Sequence, residues 1–157
     1  MSNRDLFLRM LDDAYQRKAW HGPNLRGSLR GVTPADAAWR PAKGRHNIAE
    51  LAIHCAYWKY TVRRRLTGEK RGSFARKGSN WLPMPEPSDE AWREDVKLLE
   101  REHHALRDVI ASLTDRELQR RRAHPKWDTD QLIYGVISHD IYHTGQIQLL
   151  RRLYSSS

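Results

Sequence analysis

Two histidines, His139 and His143, stand four residues apart in the stretch Ser138-His139-Asp140-Ile141-Tyr142-His143-Thr144-Gly145-Gln146-Ile147. On a helix turning about 100° per residue, Leu132, Val136, His139, His143, Ile147 and Leu150 fall within roughly 80° of one another, so both imidazoles lie inside an apolar stripe. Rings in that setting lose water and need a partner for their nitrogens. A divalent ion is one such partner, because side chains at i and i+4 reach a single ion at about 2 Å. A carboxylate or carbonyl in an ordinary core is the other, and this pair alone does not choose between them. The same spacing matches a zincin helix with aspartate where glutamate would be the base. Aspartate is one methylene shorter, so Asp140 is better read as a partner to a ligand or to another helix, with Gln146 placed to orient a ligand or a bound water.

Other helices must supply the rest of a ligand set. Asp5 to Trp20 carries Leu6, Met10, Leu11, Ala14 and Tyr15 at helical spacing, with Asn3 as a candidate cap. Gly22-Pro23 predicts a kink at Trp20-His21, where an aromatic beside His21 would form a pocket wall, and Leu25 and Leu29 continue the apolar face. Thr33-Pro34 opens a short connector through Trp39. Asn47, with Glu50 three residues on, caps a long helix to about Leu66 striped by Ile48, Leu51, Cys55, Trp58, Val62 and Leu66. His54 sits at the edge of that stripe, next to Leu51 and Trp58 in projection, and supplies a third histidine. Cys55 reads as a small core residue.

Ser88 begins another long helix with Trp92, Val96, Leu99, Leu106, Ile110 and Leu113 on its buried face. His103 shares that face, as a fourth ligand, a partner to one, or an internally bonded core residue. Thr114-Asp115 caps a short turn, Arg120 to Trp127 is a basic loop broken by Pro125, and Asp128 or Thr129 caps a last helix to about Tyr154. On that helix Ile137, Ile141 and Leu149 fall off the main stripe, a second apolar surface for a homodimer contact or for packing within the chain. Between Thr67 and Glu86 lies a long loop rich in glycine, serine, cations and proline; with Phe74, Trp81 and Leu82 in it, a lid over one end of the helices is the expected use, its cations drawing in an anionic substrate.

Length bounds the answer to one domain over 1–154, with 155–157 a disordered tail. No apolar run is long enough to cross a membrane and no secretory signal is evident, which together with a single cysteine points to the cytoplasm. The net charge of +9 raises a nucleic-acid hypothesis. Its cations sit in short clusters such as Arg63-Arg64-Arg65, Arg120-Arg121-Arg122 and Arg151-Arg152, at helix ends and in loops, where the helix dipole favours them anyway. The expected fold class is all-α, four long amphipathic helices in a bundle with long crossover loops, three of them aiming histidine at one core. His54, His139 and His143 then make a three-ligand set with an open position for water or substrate.

At these residues the chain resembles the DinB-like superfamily of the DinB/YfiT type. The resemblance rests on Trp20-His21-Gly22-Pro23, the segment from Thr33 through Trp39-Arg40-Pro41, Leu51-Ala52-Ile53-His54 followed by Trp58, Gly78 to Trp81, Trp92, and His139 to Ile147. It implies a four-helix bundle, commonly dimeric, that binds nickel or zinc through three histidines, which carry over to His54, His139 and His143. Some relatives resemble transferases or isomerases that use low-molecular-weight thiols, and many have no assigned reaction. The expected function is a metal-dependent transferase or hydrolase acting on a small molecule, with His21, Trp58 and His103 lining its pocket. A non-catalytic metal-binding or stress-response bundle is the alternative, ahead of nucleic-acid binding.

Overall fold

The computed structural model describes residues 1–119, 126–155 and 157. Among them the secondary structure is helical: α1 (Asn3–Tyr15), α2 (Leu25–Ser28), α3 (Pro34–Ala38), α4 (Ile48–Thr67), α5 (Asp89–Ser112), α6 (Asp115–Leu118) and α7 (Thr129–Ser155). The four long helices close a ring, α4 against α5 and α7, and α1 against α5 and α7. The basic cluster Arg120-Arg121-Arg122 and Pro125 lie outside the described residues, as does Ser156 of the expected tail, whereas Ser155 is the last residue of α7.

Most boundaries follow the local chemistry. Asn47, Ser88, Thr33 and Thr114 each accept a hydrogen bond from a backbone N–H of the first turn they cap. Gly68, with φ 77°, ends α4 in the left-handed conformation that costs glycine least. The first helix departs from expectation. Ser2 caps it rather than Asn3, it ends at Tyr15, and Leu6 and Met10 are exposed while Leu11, Ala14 and Tyr15 carry the buried face. Nor is there a kink at Trp20-His21: a turn pairs the Gly22 N–H with the Ala19 carbonyl, and Asn24 caps α2 afresh. α1 has already ended, with the Gln16 N–H on the Asp12 carbonyl, and Gly22 at φ 101° turns the chain toward a separate helix instead of bending the first one.

Of the second apolar surface, open to a homodimer contact or to packing within the chain, Ile137 takes the latter use and is 1% exposed in the core. It belongs to a second inward row of α7, Ile133, Ile137, Asp140, Thr144 and Ile147, all buried. Only Ile141 and Leu149 of the three off-stripe residues remain exposed.

Two apolar clusters fill the bundle, one containing Leu51, Leu99 and Ile147, the other Leu11, Leu106 and Ile133. Between them lies a polar layer with one residue from each long helix: Tyr15, Lys59, His103 and Asp140, none more than 1% exposed. Lys59 forms a buried ion pair with Asp140, its Nζ stands 5.3 Å from the Tyr15 ring centre, and that ring stacks on His103 at 3.6 Å. One turn after His103 on α5, Arg107 grips Asp12 with two hydrogen bonds of 2.8 and 3.0 Å, tying α5 to α1.

A buried pair broken from one side leaves an uncompensated charge. Lys59→Met is therefore expected to lose about 3–5 kcal/mol in urea unfolding, and Lys59→Met with Asp140→Leu to recover most of it; a single-variant loss below about 1 kcal/mol would deny the pair this role. His103 gives a second test. Its ring nitrogens find no partner among the described residues, and burial, followed by the charge of Lys59, holds its pKa down at about 2. The unfolded chain takes up this proton near pH 6.5, so stability is full above that value and drains away as pH falls. Between pH 7 and pH 5 the metal-free protein should lose about 2 kcal/mol that His103→Phe retains. Equal pH slopes for the two proteins would contradict it.

Candidate metal centre

His54 comes from the second turn of α4, and His139 and His143 from successive turns of α7, which runs antiparallel to it. Their Nε2 atoms converge: His54 to His139 is 3.0 Å and His139 to His143 is 3.0 Å. The outer nitrogens say which tautomer is present. His54 Nδ1 donates to the Asn80 carbonyl at 3.0 Å, and His143 Nδ1 donates to Gln146 Oε1 at 2.6 Å. With their hydrogens on Nδ1, both rings aim an Nε2 lone pair at His139. A hydrogen on His139 Nε2 has two lone pairs to serve and fully satisfies one, whereas a cation at the meeting point takes all three nitrogens.

Burial favours the neutral rings that a metal requires. It lowers His54 to about 4 and His139 to about 3, and lowers His143 as well. Cys55, His139 and Asp140 form a second group close enough to share an ion. That group is the poorer donor set, because burial pushes the Cys55 thiol well above its ordinary pKa and Asp140 is already engaged by Lys59.

The 68–88 connection folds back over the His54 ring. Trp81 is sandwiched between His54, at 3.8 Å and 4° between planes, and His46, at 3.5 Å and 8°. Asn80, the one non-glycine residue with positive φ among those described, serves two neighbours: its carbonyl meets His54, and its Oδ1 accepts from Trp58 Nε1 at 3.0 Å. Asparagine tolerates that left-handed backbone better than most residues.

Of the other residues singled out from sequence, Trp58 stands edge-on to both His54 and His139, and Gln146 meets His143. Asp140 turns to Lys59, so the zincin reading has no base at the metal side. His103 belongs to the polar layer and is no member of the histidine group, and His21 is exposed in the turn before α2; neither lines the site. Of the loop cations, Arg76 is spent on Asp95. Sequence reasoning passed over Lys59, Asn80, Trp81 and His46 as parts of the site. Only Lys59 carried a signal, a cation four residues after Cys55 on the apolar stripe of α4.

The DinB superfamily model matches residues 17–147. The chain belongs to the DinB superfamily. No curated protein and no solved structure gives a significant match to it. The match spans α2 to most of α7 and includes all three histidines of the group, so this member carries an all-helical fold with a buried histidine cluster able to hold a metal ion. No helix among the described residues is long and apolar enough to cross a membrane.

Proposed function

We propose that His54, His139 and His143 bind one divalent transition ion, nickel or zinc, through Nε2 and that the centre is catalytic, a thiol-dependent transferase in the first instance and a hydrolase in the second. The observation that carries this reading is the convergence of three Nε2 atoms whose outer nitrogens are already engaged at two of the three rings. Such an ion, when bound, lowers the pKa of a thiol or water that it ligates.

The chain's own residues do the positioning. Asn80 and Gln146 fix ring orientation and raise the donor strength of His54 and His143. Trp81 covers the His54 face and keeps water from it, while the His139 side borders a cleft that gives a small molecule access. Ile141, Tyr142 and Leu149, exposed on α7, are our choice for a homodimer contact.

Adding nickel or zinc to metal-free protein at 100 times its Kd should stabilise the native state by about 2.7 kcal/mol, and His139→Ala should abolish the gain. Gln146→Leu keeps the fold but should weaken metal affinity about 10–100-fold; unchanged affinity would remove Gln146 from the site. For catalysis, the metal-loaded protein is incubated with a low-molecular-weight thiol and an alkylating electrophile, or with an ester. Thiol consumption or ester cleavage lost in His139→Ala supports the enzyme. A saturated site with neither activity, and with no exchangeable ligand, would leave a non-catalytic metal-binding bundle.

A further inference from the structure

The groove between α4 and α7 continues past the histidines into a cleft of about 420 Å³ bordered by Trp58, Arg65, Trp127, Gly135, Val136 and His139. His54, Trp58, Val62 and Arg65 succeed one another at four, four and three residues, so they lie along one face of α4. Trp58 to Arg65 is a rise of about 10 Å. The cleft thus has the histidine cluster at one end, apolar and aromatic walls along its length, and a guanidinium at the other end.

Two features ask for an occupant. Arg65 is half-buried, and among the described residues no carboxylate pairs with it; the ionisable groups acting on it are Arg64 and Arg71, with Tyr57 a smaller influence of opposite sign. Burial, then those two cations, hold its pKa below the usual arginine value, the mark of a charge placed at a cost and left without its counter-ion. Gly135 stands in the second turn of α7, within an unbroken helix, although glycine is a poor helix former. A Cβ built there would meet nothing within 4 Å, so packing inside the chain does not demand glycine. What its missing side chain does is leave the cleft open.

We propose that this cleft is the substrate pocket and takes a small organic anion whose apolar body lies between Trp58 and Trp127 and whose carboxylate or phosphate oxygens receive the Arg65 guanidinium. The placing of the ligand's reactive end at the histidines rests on the metal-centre reading above, while the anion site rests on Arg65 and the cleft alone. Guanidinium forks bind such oxygens through two parallel hydrogen bonds, and dry walls strengthen them.

The test is calorimetric titration of the metal-free protein with 4-phenylbutyrate and with its neutral amide. The acid should bind at least about tenfold more tightly than the amide, Arg65→Gln should erase that preference, and Gly135→Phe should weaken both by about tenfold while metal uptake stays normal. Equal binding of acid and amide, no binding of either at millimolar concentration, a preference that survives Arg65→Gln, or indifference to Gly135→Phe would each overturn it. Because metal is absent from the titration, a chain that takes up no metal would still pass or fail this test on its own. A chain that binds metal but shows no acid preference would lose only the anion pocket.

Discussion

An ammonium and a carboxylate sealed from water join α4 to α7, and the rest of the site depends on where that contact falls. Lys59 follows Trp58 directly and Asp140 follows His139, so pairing them fixes the register that sets His54 opposite His139 and His143. Apolar side chains alone tolerate sliding by a turn, since one leucine replaces another at little cost. A buried charge does not, because a shift would strand both partners. With Tyr15 and His103 completing the layer, every long helix contributes one residue to this plane, and the metal-competent group sits beside it.

The histidine cluster itself is held by opposing demands. Burial keeps the imidazoles neutral and so available as donors, yet it crowds lone pairs together with too few hydrogens between them. Asn80 and Gln146 resolve the outer nitrogens of two rings and thereby sharpen the problem at the centre, where a cation is the simplest solution. Trp81 adds a flat apolar cover on one side, leaving access through the cleft beside His139.

Much of this was legible without coordinates. His139 and His143 could be placed on one inward face because α7 keeps its 3.6-residue period throughout, and His54 because Asn47 and Glu50 pin the start of α4 and hence its phase. The caps are local chemistry and read directly. Contacts between segments distant in sequence were not legible: nothing in Gly78 to Trp81 announces that a backbone carbonyl will meet His54 or that Trp81 will stack on it. His21 and His103 misled for a related reason. A histidine next to a helix break or on a buried face has the right phase for a pocket, but distance to the cluster is set by packing, which left one in an exposed turn and the other against Tyr15. Periodicity alone left Ile137, Ile141 and Leu149 open to a homodimer contact or to packing within the chain, and a helix gripped by α1, α2 and α4 buries Ile137 in a second inward row.

Whether His54, His139 and His143 hold an ion together is read by X-ray absorption spectroscopy on untagged protein loaded with one equivalent of nickel or zinc after purification without metal resin. Three imidazole nitrogens at about 2.0–2.1 Å are expected, with at least one further light-atom ligand that sulfur from an added small thiol displaces. Failure to retain one equivalent, sulfur from Cys55 in the resting shell, or fewer than three imidazoles would contradict it and return these histidines to the role of ordinary core residues.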